Sequence, residues 1–208
     1  HNGRMYRPAA FVRIVRPVGG SPRIRVRLRP SADWGAAEST RARGSNHIRY
    51  GLSGGVMRLS TTAPVGWIED EAVFRVERPL HFFFGPDESF SEEIATSLDT
   101  MLDRTVAEWR HWVRGLATPP EWQEALIRAA IALKLCQHEE TGAIVAALTT
   151  SIPEHADSGR NWDYRHCWIR DAYYTVQALT RLGALDVLEL YLEFLRNIVD
   201  MAAGGHIQ

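Results

Sequence analysis

Phe82-Phe-Phe-Gly-Pro-Asp-Glu-Ser-Phe-Ser-Glu-Glu-Ile-Ala-Thr-Ser-Leu98 is the stretch in which the chain changes its period. Up to Phe84 the apolar residues come in short runs and alternations, the pattern of strands. After Gly85-Pro86 they recur every three or four positions, at Ile94, Leu98, Leu102, Val106, Trp109 and Val113. That spacing is one face of a long helix. Ser89-Phe-Ser-Glu92 has the form of a capping box and predicts the helix start. Gly115 and Pro119-Pro120 predict its end. The chain therefore divides into a β-rich part, a connecting helix and a helical part.

Working back from Gly85, the strand signals are period-2. Phe11 to Arg16 and Arg23 to Arg29 alternate apolar and basic residues around the turn-like Pro17-Val-Gly-Gly-Ser-Pro22, and the pair reads as a β-hairpin. Further strands are expected at His47–Leu52, Val56–Thr61 and Ala72–Phe84, with Ser31–Ser45 as loop. Strands at this spacing predict an antiparallel sandwich. The arginines read as a solvated face.

Working forward, Trp122, Leu126, Ala129, Ala130, Leu133 and Cys136 predict a second, well-buried helix just after Pro120. Thr141 to Ser151 is apolar and ends in hydroxyls, and Pro153 to Asn161 is loop by composition. Helical spacing returns from Trp168 to Leu182, breaks at Gly183 and resumes from Asp186 to Met201. Val187, Leu190, Tyr191, Phe194, Leu195 and Ile198 form an apolar face on that last helix which needs a cover, so the helical part is expected to be incomplete.

Composition excludes several classes. The 208 residues are 45% hydrophobic and 24% charged, as in a soluble globular protein. A formal net charge of -1 supplies no basic field for nucleic acid or an anionic membrane. No apolar run reaches the roughly 18 residues of a membrane span. His1 to Pro8 lacks a signal-peptide pattern, and the chain does not begin with Met, so it reads as a fragment, a processed product or a trimmed chain; the expected compartment is the cytoplasm. Cys136 and Cys167 make no disulfide framework and read as reduced thiols. No metal or other cofactor is expected.

The densest chemistry lies in Arg160-Asn-Trp-Asp-Tyr-Arg-His-Cys-Trp-Ile-Arg-Asp171. It concentrates planar hydrogen-bonding side chains and large aromatics directly before a helix. Sugar hydroxyls are bound by such donor forks and acceptor pairs, and sugar ring faces stack on aromatic rings. Arg170 and Asp171 are placed in a first helical turn, where the carboxylate gains from the helix dipole. Trp168 and Tyr164, four apart, would share a face if that turn were helical. The competing reading is a buried ion pair among core aromatics. His166 and Cys167 point different ways and lack partners at metal spacing.

Thr141-Gly-Ala-Ile-Val-Ala-Ala147, Thr149-Thr-Ser-Ile-Pro-Glu154, Asn161 to Ala172 and the closing Gly205-His-Ile-Gln208 together resemble glycoside hydrolase family 15, which includes bacterial glucoamylases, glucodextranases and some trehalases. The resemblance implies a β-sandwich part at 1–86, a connecting helix at 87–119 and the start of an (α/α)6 barrel at 120–208. It implies that Arg170 and Asp171 bind hydroxyls of a terminal glucose, that Trp168 lines that subsite and that Tyr164 lies near the anomeric carbon, with Trp162 and Arg165 in or behind the same pocket. The implied reaction is inverting hydrolysis of terminal α-glucosidic bonds in an α-glucan, a maltooligosaccharide or trehalose. The family's two catalytic glutamates lie downstream of the motif, so no catalytic residue is expected in this chain and the stretch alone is expected to be inactive. Glu139, Glu140 and Glu154 precede the motif, while Glu189 and Glu193 read as a solvated helix face. The alternative is a non-catalytic carbohydrate-binding or regulatory relative.

Overall fold

The computed structural model describes residues 8–149 and 152–202. The segments Thr150-Ser151 and Gly205–Gln208, on which two pieces of the resemblance fall, lie outside the described residues. The chain divides into two compact units, residues 1–107 and 108–208, with the division inside the long helix α2 (Ile94–Arg114). The order is β first and helices after, as the change of period at Gly85 requires.

The first unit is built on a five-stranded antiparallel sheet ordered β1-β9-β7-β6-β5. Its members are β1 (Phe11–Val15), β5 (Thr40–Arg43), β6 (His47–Leu52), β7 (Gly55–Thr61) and β9 (Leu80–Pro86). Two ribbons accompany it: β2 (Arg23–Arg25) with β8 (Val73–Arg75), and β3 (Ser31–Ala32) with β4 (Ala37–Glu38). A short helix, α1 (Val65–Glu69), follows β7.

The triple Phe of β9 has a direct explanation. Phe82 and Phe84 face a core with Ile48, Tyr50 and Leu59. Phe83 faces the other way, against Ile94 and Leu98 of α2, and meets the Phe90 ring edge-on at 5.0 Å. A strand covered on both faces loses its alternation and reads as a continuous apolar run. His81, on the Phe83 side, meets Asp99 of α2 at 3.3 Å, and Arg16 reaches the same carboxylate at 2.7 Å.

The hairpin expected from β1 and β2 does not form. β1 pairs with β9 (Phe11 opposite Phe84) and β2 pairs with β8. The inward residues are those the alternation marks, because Val15, Ile24, Val26 and Leu28 all pack on one core. They do so from two separate sheets, and alternation carries no information about which strand is the partner. Ser31–Ser45 is likewise not all loop, since it contributes β3, β4 and the edge strand β5. Ala72–Phe84 is two strands broken at Glu77-Arg78-Pro79. The capping box is not used either: Ser89 Oγ accepts a hydrogen bond from Arg58 at 3.0 Å, and α2 begins only at Ile94.

The second unit holds the end of α2, then α3 (Gln123–Lys134), α4 (Ile169–Arg181) and α5 (Leu185–Met201). Its core is Ala130, Ile144, Ala172, Val176, Leu179, Ala184, Val187 and Tyr191. α4 and α5 form a helical hairpin. Gly183, at φ +85°, closes α4 with bonds from Gly183 N to Thr180 O and from Ala184 N to Leu179 O, a Schellman cap. α3 is less buried than its composition suggests. Of its residues only Ala130 and Lys134 are fully enclosed, and Trp122 stands before the helix at φ +59° and is 82% exposed. The face of α5 runs from enclosed at Val187 and Tyr191 to half-buried at Phe194, Leu195 and Ile198. Among the described residues no helix is long and apolar enough to cross a membrane.

Candidate functional site

The segment 160–171 is held by backbone from two directions. Ala146 N donates to His166 O at 3.2 Å and Ala147 N to Tyr164 O at 2.9 Å. The strand-like piece that donates is itself folded back on the end of α3, with Val145 N to Cys136 O at 3.0 Å and His138 N to Ala143 O at 2.8 Å. Gly142, at φ +77°, turns that corner against Leu190 of α5, where a side chain would collide with the Leu190 carbonyl. Ile144, fully enclosed, anchors the piece in the core. The apolar run and the charged motif are thus parts of one assembly: the first supports the backbone of the second.

At its C-terminal end the motif runs into α4. Trp168 is the extended residue before the helix, and Arg170 and Asp171 occupy the first turn. The Arg170 guanidinium lies 5.8 Å from the Trp168 ring centre and donates to Asp171 Oδ2 at 3.1 Å. Trp168 is 39% exposed, the Arg170 side chain 71% and the Asp171 side chain 30%. Three of the expected residues are therefore drawn together on an open surface: an aromatic face, a donor fork and an acceptor pair. The competing reading, a buried ion pair among core aromatics, does not describe them.

The other three are placed differently. Arg165 forms a two-pronged bond with Asp163, at 3.0 and 2.9 Å. With the Arg165 backbone N–H also donating at 3.0 Å, the Asp163 carboxyl is held down to about 2. The guanidinium is thereby committed to fixing the loop. Tyr164 lies in a turn ahead of α4, so the helical condition for sharing a face with Trp168 is not met. Its carbonyl takes the Ala147 bond and its side chain is half-buried. Trp162 is 45% exposed. Desolvation pushes the Cys136 thiol, and that of the more exposed Cys167, above the ordinary cysteine value.

Sequence reasoning passed over Tyr173 and Tyr174. Both are exposed and in edge contact at 5.4 Å, and Gln177 donates to the Tyr173 hydroxyl at 2.9 Å. They lie three and four residues beyond Arg170, so the exposed face that starts at the motif continues along α4 in aromatic residues. Helical spacing counted from Arg170 would have found them. Among the described residues no group of three or more His, Cys, Asp or Glu side chains is placed to hold a metal ion.

Residues 121–206 match the family described as glycosyl hydrolases family 15. A trehalase of Thermoplasma volcanium is 39% identical over 100 residues, 48% of this chain and 16% of the relative. A trehalase of Mycobacterium tuberculosis is 31% identical over 155 residues, 74% of this chain and 21% of the relative, so that similarity reaches back into the β-rich unit. A trehalase of Mycolicibacterium smegmatis is 36% identical over 96 residues, 46% of this chain and 14% of the relative. The chain spans about a fifth or less of the length of these relatives. No solved structure matches the chain significantly.

Proposed function

We propose that this chain, which belongs to glycosyl hydrolase family 15 through residues 121–206, carries part of the glucose-binding subsite of an inverting α-glucosidase, with trehalose as the first substrate to test. The observation that carries the reading is the exposed set of Trp168, Arg170 and Asp171 at the start of α4. Asp171 accepts from one sugar hydroxyl while Arg170 donates to its neighbour, and Trp168 lies under the ring. The side-by-side placement of the two charged groups, 3.1 Å apart, supports a two-point contact with neighbouring hydroxyls. Tyr164 and Trp162 extend the pocket. Arg165 acts behind it, by holding Asp163 and hence the loop.

In this reading α3, α4 and α5 belong to an (α/α)6 barrel, with residues 1–86 as a sandwich part and 87–119 as a connecting helix. The bond is broken by two carboxylates from other segments. One protonates the leaving oxygen and the other activates a water on the opposite face, about 6.5–9.5 Å away. Glu189 and Glu193 lie exposed on α5, in keeping with a solvated face rather than with catalysis. Trehalose leads the maltooligosaccharides because the relatives from Thermoplasma and Mycobacterium are trehalases.

The test is glucose release by the full-length protein from trehalose, maltose and isomaltose, followed by NMR of the fresh product. The reading expects turnover of at least one of them, and from trehalose equal initial amounts of the two anomers, because the attacked unit inverts to β-glucose while the departing unit leaves as α-glucose. α-Glucose as the sole initial product from trehalose would refute inversion. Saturable sugar binding with no hydrolysis of any of the three would replace the enzyme by a carbohydrate-binding relative.

A further inference from the structure

Lys134 is the only lysine of the chain, in which arginine is used at every other Lys/Arg position. It lies in the last turn of α3 and is 8% exposed. Its ammonium donates to Gln137 Oε1 at 2.9 Å and lies 3.4 Å from Asp186 Oδ2 and 3.8 Å from Glu139 Oε1. A compact ammonium with three N–H donors suits acceptors spread in this way, whereas a planar guanidinium would need them in one fork. Gln137, 7% exposed, donates through Nε2 to the Val187 carbonyl of α5 at 3.3 Å. The two side chains together join the end of α3 to the start of α5. Apolar residues of similar volume often serve stability as well as a buried charge does, so stability by itself does not call for a lysine here. What the pair adds is a fixed geometry.

That geometry reaches the charged motif in a few bonds. Gln137 pairs with Ile144 in an antiparallel bridge across the corner at 136–147. Just beyond Ile144, Ala146 N donates to His166 O and Ala147 N to Tyr164 O. The His166 carbonyl also accepts from Trp168 N at 3.1 Å, so one oxygen ties the corner to the residue that precedes α4. Arg170 and Asp171 follow in the first turn of that helix. Lys134 and Gln137 are themselves buried and stand apart from the exposed set.

We propose that Lys134 and Gln137 are positioning residues of the sugar subsite, acting through the 136–147 corner and the His166 carbonyl on Trp168, Arg170 and Asp171. This rests on the sugar-binding reading of that exposed set. Gln137 sets where the corner lies against α5. Lys134 holds the Gln137 amide in place, and the carboxylates of Asp186 and Glu139 offset its charge. The hydroxyl-binding groups are then aimed by bonds made on the far side of the corner, which fits the close placement that a productive sugar complex requires.

The test replaces both residues by apolar ones of similar size, Lys134→Met with Gln137→Leu, so that neither is left as a buried polar group without its partner. Val187→Ala is the control, because it opens the same core and keeps both side chains. In amide hydrogen exchange of the 208-residue protein, the double variant should quicken Ala146 and Ala147 by roughly tenfold or more relative to Tyr191 of α5. Val187→Ala should quicken all three alike. Gln137→Glu keeps an acceptor for Lys134 and loses the donor to Val187; it should quicken the same two amides selectively, and it decides the matter if the double variant does not fold. In the full-length protein the double variant should lower kcat/KM on the hydrolysed sugar by about tenfold or more, and by more than Val187→Ala does. Parent-like exchange at Ala146 and Ala147, or quickening equal to that of Tyr191, overturns the proposal. Selective quickening with an unchanged kcat/KM overturns it too. A parent protein that hydrolyses no sugar refutes the subsite reading instead, and the exchange measurement keeps the two failures apart.

Discussion

Gly142→Ala offers the sharpest check on how the motif is supported. Gly142 has φ +77°, and an added Cβ would run into the backbone carbonyl of Leu190, in the middle of α5. Two costs arise. The left-handed backbone costs about 1–2 kcal/mol for a residue with a Cβ. The Leu190 carbonyl must also retreat by roughly 1 Å to reach the ~3.3 Å at which carbon and oxygen touch, and overpacking of this kind costs about 1–3 kcal/mol. The lost flexibility of the unfolded chain returns about 0.4–1 kcal/mol, leaving a net loss of roughly 2–4 kcal/mol. Gly183 is the internal control. It has φ +85° but only Gly115 O near its Cβ position, at 3.9 Å, so Gly183→Ala bears the backbone cost alone, about 1 kcal/mol. The assay is urea unfolding followed by far-UV circular dichroism and by tryptophan fluorescence, in which Trp109 and Trp112 report on the second unit. Equal losses for the two variants would refute the close packing of the 136–147 corner against α5.

Three further outcomes are expected. Asp171→Asn in the full-length protein should lower kcat/KM on the substrate it hydrolyses by roughly 10- to 100-fold, the value of a charged hydrogen bond worth about 1.5–3 kcal/mol; an unchanged value removes Asp171 from the subsite. Asp163 should stay ionised down to about pH 2, against an ordinary 3.8, chiefly through its bonds from Arg165. Because the folded-state value is lowered, its stabilising contribution is complete above pH 3.8 and disappears as pH falls through about 2. A carboxyl-carbon NMR titration should show Arg165→Ala moving the midpoint back up. Lys134, buried at the end of α3, donates to Gln137 at 2.9 Å and reaches Asp186 of α5 at 3.4 Å. Lys134→Ala should cost about 1–3 kcal/mol in thermal or urea unfolding. Asp186→Ala should cost less, because its carboxylate is 54% exposed.

The sequence by itself settled what depends on near neighbours along the chain. The change from strand to helix at Gly85, the inward residues of Arg23–Arg29, the break at Gly183 and the first-turn placement of Arg170 and Asp171 all follow from period and local chemistry. Those signals are short-range because backbone conformation is chosen over a few residues at a time. The tertiary structure alone decided which strands pair, since β1 and β2 each had an apolar stripe that any partner could complete. It decided that Phe83 is covered by α2, while Phe82 and Phe84 face the sheet's own core. It also gave the residues of the motif different roles. Arg165 is committed to Asp163, while Arg170 and Asp171 stay on the surface beside Trp168. That division arises from bonds between segments such as Ala147 and Tyr164, distant in sequence, and no periodicity along the chain encodes which carbonyl a given N–H will find.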